Sequence, residues 1–367
     1  MASETPKLVR VGVIGCGEIS QVVHLPTLNH LSHLYTVTYL CDISQEALKH
    51  CRAKVAGYEA PRTTTDPKEL CASPLVDVVL VANADEYHTE HTILALEHGK
   101  HVLVEKPMAL SMRDADAIIA AERASKARVM VGYMRRYAAV FEDVVREVGG
   151  LDKILYARVR DIIGPNSVFV DQSGTFPQKF TDIPEDAILD KSARGNEIVS
   201  QAIETEAGIK NSTVNPMMWR ALGGLGSHDL SAMREVLGMP TGVVGASLEF
   251  PFWSALLKYP TFTVAYESGL DSVPRFDAHI EVYGGDKAVR ITYDTPYVKG
   301  LPITMRVQEN INGSLRETIT RKSYEDPYTL ELKELYEMVV NGKPVKTTAE
   351  DAKKDLEIFR MLFESAQ

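Results

Sequence analysis

Two side chains in this sequence could move a proton at positions where a fold could use it. Lys106 lies in Glu105-Lys106-Pro107, directly after the apolar run His101-Val102-Leu103-Val104. In an open parallel sheet the carboxyl ends of the strands line the ligand crevice. A lysine there can hydrogen-bond a hydroxyl or carbonyl oxygen and exchange its proton, and partial burial or a nearby cation lowers its pKa toward that task. A surface lysine neutralising Glu105 fits the position equally well. His228 follows Gly223, Gly224 and Gly226 and opens a helix whose apolar face is Leu230, Met233 and Leu237. Its imidazole can donate to or accept from a substrate hydroxyl, and a helix N-terminus favours its neutral form. A histidine that caps or packs is the competing reading.

A third constellation concerns phosphate. Gly15-Cys16-Gly17-Glu18-Ile19-Ser20 follows the short β-branched run 8–14 and opens a helical stretch. It fits G-x-G-x-x-G/A with Ser20 in the third small position. Gly15 permits the tight turn, and Gly17 lets the backbone approach a pyrophosphate at the helix N-terminus. Asp42 ends the next strand, 25 residues after Gly17. A carboxylate there accepts hydrogen bonds from ribose hydroxyls and repels a 2′-phosphate. No arginine follows in Cys41-Asp42-Ile43-Ser44, so NAD is favoured over NADP.

The remaining candidates are weaker. His24, His30 and His33 suggest no complete metal site and read as structural, and His88 and His91 read equally well as helix-surface residues. Arg135-Arg136-Tyr137 could hold an anionic substrate or cofactor, or form a solvated corner. Cys16, Cys41, Cys51 and Cys71 lack metal-ligand and CxxC spacing, which reads as buried reduced thiols in a cytoplasmic protein. Residues 1–7 lack the apolar core of a signal peptide, and no run approaches the ~20 apolar residues of a membrane span. The net charge of −10 disfavours nucleic-acid and anionic-membrane partners.

The elements that must position these residues follow from periodicity. The chain has 367 residues, 45% hydrophobic and 25% charged, enough for two domains at roughly 150 residues each. Strands are predicted at 8–14, 35–40, 76–81, 101–104 and 128–132. Helices lie between them, including 44–55 with Ser44 as N-cap, 87–97 closed by Gly99, and 111–125 with Ser111 and Asp114 as a capping pair. Repeated βα units imply a parallel sheet with helices on both faces. Pro26 should end or kink the first helix. After one more helix at 138–148 the pattern changes. Segments 243–250, 261–267, 279–283, 288–293 and 303–308 alternate apolar and polar residues, the mark of a largely antiparallel sheet with one wet face. Helices are predicted at 230–237, 328–340 and 350–365. The stretch 164–218 is polar and poorly periodic, an insertion that could serve as a lid or binding loop.

Taken together these residues resemble the Gfo/Idh/MocA family, the glucose-fructose oxidoreductase and inositol dehydrogenase group. The resemblance runs over most of the chain outside 164–218. It rests on 77–88, on Trp219-Arg220, on the stretch from Gly223 to Asp229, on the tail 342–366, and most specifically on 95–107, which ends in Glu105-Lys106-Pro107. It implies a Rossmann domain over 1–134, and an α/β domain with a large, mostly antiparallel open sheet over 135–367. It places the catalytic roles on Lys106 and His228. It places cofactor contacts on Gly15, Gly17, Glu18, Ile19, Asn83, Ala84, His88, Glu105 and Lys106, with Trp219 and Arg220 near cofactor and substrate; Arg135 joins them as a candidate from its own basic-aromatic cluster.

The implied activity is NAD-dependent hydride transfer at a secondary alcohol or ketone of a sugar, polyol or related molecule, by a homodimer or homotetramer paired through the open sheet. Relatives also include cofactor-binding regulators without turnover, and reductases of dihydrodiols or imines. This sequence departs from the pattern at Gly224, where the family often carries Asp four residues before the histidine, and at Asn83-Ala84, where Thr-Pro is usual.

Overall fold

The computed structural model describes residues 7–57, 59–210 and 215–366. They fall into two compact units. The first takes in the chain up to Gly132 together with Gly174–Ala202 and Glu331–Lys353. The second takes in Tyr133–Ser173, Ile203–Leu330 and the chain from Lys354 onward.

The first unit is built on six parallel strands: β1 Val9–Ile14, β2 Tyr35–Cys41, β3 Arg62–Thr64, β4 Val78–Val81, β5 His101–Glu105 and β6 Val129–Gly132. Their order is β3-β2-β1-β4-β5-β6, with the chain reversing direction across the sheet between β1 and β4. Strands β4 and β6 are buried at every residue, as expected for a parallel sheet covered on both faces. Helix signals in the sequence act as predicted. Ser44 accepts from the Ala47 amide and Ser111 from the Asp114 amide. Gly99 closes its helix at a φ of 68°. The first helix bears out the reading of Pro26. Ser20–His24 is wound as a π turn, and Leu25–His30 continues as α-helix with the proline in its first turn. A residue without an N–H interrupts the i→i−4 ladder there. Glu331–Lys353 adds to this unit through Tyr336, whose ring meets Tyr35 edge-on at 5.9 Å, and through the Thr347 carbonyl, which accepts from the Val131 amide at 2.8 Å.

The second unit carries eight strands: β7 Tyr156–Ile163, β8 Gly242–Leu248, β9 Phe252–Lys258, β10 Thr263–Leu270, β11 Phe276–Tyr283, β12 Lys287–Tyr293, β13 Thr304–Ile311 and β14 Ser314–Thr320. Their order is β14-β13-β12-β11-β7-β10-β9-β8, and only the β7–β10 pair is parallel. The register sorts residues by face. Val307, Val289, Val282, Ala157, Val264 and Leu257 are opposed in one row, and all are buried. The adjacent row carries Arg306, Arg290, Glu281 and Arg158 between Ile319 and Leu256. On this wet face Arg160 lies 3.4 Å from both Glu267 and Asp277.

The stretch 164–218, read from sequence as an aperiodic insertion, contains helices at Asn166–Asp171, Glu185–Ser200 and Asn215–Ala221. In the sixteen-residue helix Glu185–Ser200 only Gly195 and Val199 are buried. With so narrow an apolar stripe, the 3.6-residue period is invisible in the sequence.

Candidate active site

The site grows from the carboxyl ends of β1, β2, β4 and β5 in the first unit. Gly15 leaves β1 at a φ of 102°, a region that favours glycine. A Cβ there would come within 2.5 Å of the Asn83 amide nitrogen. The turn after β1 therefore packs directly on the loop after β4. At Gly17 a Cβ would meet nothing within 4 Å, so the turn presents bare backbone to open space. Glu18 beside it is exposed and Ile19 half-buried. Asp42 closes the turn from β2, one carboxylate oxygen accepting from the Cys16 amide at 2.7 Å and the other from the Ser44 amide at 2.8 Å. Burial pushes the Asp42 carboxyl up, against the pull of those two amides.

The loop after β4 is pinned by two histidines. His88 reaches the Pro107 carbonyl at 2.8 Å and the Asn83 carbonyl at 3.1 Å, tying the Asn83-Ala84 loop to the Glu105-Lys106-Pro107 loop. The Lys106–Pro107 peptide is cis. Asn83 donates its amide to Nδ1 of His91 at 3.0 Å. Burial pushes His91 down to about 4, which keeps it a neutral acceptor at physiological pH. Asn83 Oδ1 is buried without a donor among the described residues. A bare glycine turn packed beside an orphaned acceptor fits a dinucleotide, whose phosphates need backbone donors and whose polar groups supply hydrogen-bond donors.

Glu105 ends β5 fully inside the unit, paired with His24 at 2.7 Å. Burial alone would raise its carboxyl, but the hydrogen bond and charge of His24 and the nearby Lys106 ammonium hold it below the usual carboxylate range. Its second oxygen accepts from the Lys106 amide at 3.2 Å. Lys106 itself is half-buried. Its backbone is thus held by a carboxylate that is itself locked.

The second unit carries the other expected residues. His228 is half-buried in the first turn of the helix Ser227–Leu237, after a π turn at Leu222–Gly226. A Cβ at Gly224 would meet nothing within 4 Å. Trp219 is buried in the core, its ring 5.7 Å from Phe359 and 5.4 Å from Phe363, and Arg220 is half-buried on the same helix. Arg135 is also buried. It donates one terminal nitrogen to Asp229 and the other to Asp161 at 3.0 Å, with its guanidinium 5.6 Å from the ring centre of Phe276 and 5.3 Å from that of Tyr293. These contacts account for the guanidinium as the cation of a sealed cluster. Burial drives Asp229 well up, Arg135 opposes this, and the Asp161 charge adds to it.

The first unit has the strand order and glycine turn of a dinucleotide-binding sheet, and known proteins agree. Residues 9–133 match the family described as an oxidoreductase family with an NAD-binding Rossmann fold. Over these residues, which span β1 to β6, the chain resembles the Gfo/Idh/MocA oxidoreductases. It is 25% identical to a myo-inositol 2-dehydrogenase of Thermotoga maritima over 354 residues, 95% of this chain and 93% of that protein. It is 37% identical to inositol 2-dehydrogenase 3 of Saccharopolyspora erythraea over 152 residues, 41% of this chain and 44% of that protein. A 3-ketoreductase from Actinomadura kijaniata, solved with NADP and TDP-benzene, shares the fold. Its TM-score is 0.72 at 17% identity, with 98% of each chain covered.

Some supporting residues escape sequence reasoning. His24 reads there only as structural, yet it is the partner that sets Glu105. Gln21 donates to the Cys16 carbonyl at 3.0 Å and fixes the glycine turn from below. Neither has a local signal, because each acts through a neighbour distant in sequence or through a turn the sequence leaves unspecified.

Proposed function

We propose that this oxidoreductase uses NAD to oxidise a secondary alcohol of a sugar, polyol or related molecule, or to reduce the corresponding ketone. One observation carries the reading: Lys106 is presented at the end of β5 by a His24–Glu105 pair, in the same unit as the bare Gly15–Gly17 turn and Asp42. When bound, the nicotinamide accepts or returns the hydride. Asp42 has lone pairs left for ribose hydroxyls, and the amides around Gly17 would hold the pyrophosphate. The Asn83 carboxamide oxygen would accept a hydrogen bond from the cofactor. In oxidation neutral Lys106 takes the hydroxyl proton as the carbonyl forms; in reduction its ammonium returns it. His228 is the second group, orienting the hydroxyl and sharing that proton. Glu105 and His24 position Lys106 and touch no substrate.

The inositol dehydrogenases among its relatives make cyclic polyols the first substrates to try. NADH formation over a panel of inositols, sugars and sugar acids tests the activity. Turnover in the wild type that disappears in Lys106→Ala is the expected result, and comparable turnover in both would remove Lys106 from the chemistry. Self-association through the wet face of the eight-stranded sheet is part of this proposal. Phe252 and Leu256 stand exposed there beside paired charges, a mixed surface of the kind that pairs with a second copy. Light scattering on the purified chain should give a dimer or tetramer.

A further inference from the structure

The segment Gly174–Ala202 belongs to the first unit, although some forty residues separate it from the end of β6. It is fixed at both sides of the carboxyl edge. On the β2 side Lys54 donates to the Thr175 carbonyl at 2.5 Å. Gln178 and Gln21 exchange two hydrogen bonds, at 2.8 and 3.1 Å, and the same Gln21 amide holds the Cys16 carbonyl of the glycine turn. On the β4 side Tyr87 donates to Asp190 at 2.7 Å, and Arg194 pairs with Glu90 at 2.6 Å. Between these anchors Asp182 is seated on the first turn of the helix Gln45–Lys54. It accepts from the Ser44 hydroxyl at 2.5 Å and from the Glu46 amide at 3.0 Å. Those two donors hold the Asp182 carboxyl below its ordinary range, so it sits there as an anion.

This seat has a meaning for cofactor choice. The first amides of a helix are orphan donors that attract anions. Ser44 is the hinge between two carboxylates: its amide goes to Asp42 and its hydroxyl to Asp182. Asp42 is the acid placed to receive ribose hydroxyls. An added 2′-phosphate on that ribose would look for the donors next to Asp42, and Asp182 already uses them. Its charge also raises the Asp42 carboxyl, a sign that the two are felt by one another.

We propose that Asp182 is a specificity-determining residue: an internal carboxylate that fills the anion seat beside Asp42 and so rejects the 2′-phosphate of NADP. This deepens the reading of the chain as an NAD-dependent enzyme and rests on it. Asp42 by itself disfavours the phosphate by repulsion; Asp182 removes the donors that could compensate.

The test is calorimetric titration of the full chain with NAD and with NADP, in the wild type, Asp182→Asn, Asp182→Ser and Asp182→Glu. The quantity read is the ratio of the two dissociation constants, which a general loss of folded protein does not move. The wild type should favour NAD by at least a hundredfold. Asp182→Asn and Asp182→Ser should lower that preference at least tenfold, and Asp182→Glu should keep it. An unchanged ratio in Asp182→Asn and Asp182→Ser, with NAD still preferred, would overturn the role of Asp182 alone. A wild type that binds neither dinucleotide would instead overturn the enzymatic reading on which it rests. A wild type that prefers NADP would overturn both carboxylates as selectors.

Discussion

Glu105 in the first unit and Asp229 in the second are both buried carboxylates facing a cationic partner, and their environments drive them in opposite directions. Glu105 has His24 on one oxygen and the Lys106 amide on the other, and is held low. Asp229 shares one guanidinium with Asp161 inside a closed core, and is held high. In the first region hydrogen bonds and positive charge outweigh desolvation, and the group they support is a half-buried lysine at the end of β5. In the second, two carboxylates compete for one cation, and desolvation wins. A perturbed acid marks a functional site only when it supports something that faces a ligand. The Arg135 cluster also holds a perturbed acid, and it is buried among protein groups.

Substitutions on the two sides should separate along that line. Lys106→Ala should lower turnover by about 10²–10⁴, the usual worth of a positioned proton-transfer group. It should leave the urea midpoint close to that of the wild type. Arg135→Ala should do the reverse, costing about 3–5 kcal/mol of folding free energy by leaving buried carboxylates without their cation. Urea unfolding of both variants checks the pair, and an Arg135→Ala protein with wild-type stability would contradict the sealed-core reading.

His24→Ala comes next, at about 1.5–3 kcal/mol for a buried hydrogen bond to a charged group. It should also displace the pH profile of turnover, because the charge beside Lys106 changes; a purely structural histidine would leave that profile in place.

The two acids should show opposite pH signatures. Glu105 has a folded pKa below its unfolded value. Its stabilisation is present above the unfolded pKa, near 4.5, and is lost as pH falls through the folded value. Asp229 has a folded pKa above its unfolded value of about 3.8. Its favourable contribution is complete below that value and declines as pH rises toward the folded one. Relative to wild type, Glu105→Gln should therefore lose stability as pH rises through the acid range, and Asp229→Asn should gain it. Unfolding free energies at several pH values between 3 and 8 would show the two trends, and parallel trends would erase the contrast. The smallest effect is expected at Gly224→Asp. A Cβ there meets nothing, so stability should change by no more than about 0.5 kcal/mol, and any change should fall on turnover.

Legibility followed the same division. In the first unit the strands and caps read from the sequence lie within a few residues of those observed, because buried parallel strands are unbroken apolar runs and their helices carry side-chain caps. In the second unit β7, β9 and β14 have no counterpart among the predicted strands. Strand β9 alternates exposed Phe252 and Leu256 with buried Trp253 and Leu257, so apolar residues on both faces hide the two-residue period. Strand β14 is almost wholly exposed, so it has no buried face to announce. Trp219 and Arg135, expected from the sequence near a ligand, are both buried in the second unit, and their residue types alone serve ligands and cores alike.

The sequence by itself determined the βα order, the glycine turn, Asp42 at the end of β2, and Lys106 at the end of β5. Each depends on residues within a few positions of one another, where backbone preference and periodicity act directly. The tertiary structure alone decided that His24 locks Glu105, that Arg135 is consumed by Asp161 and Asp229, and that Asp182 reaches Ser44. Those partners are 81, 26, 94 and 138 residues apart. Contacts at such separations are made by packing whole elements together, and no local pattern encodes them.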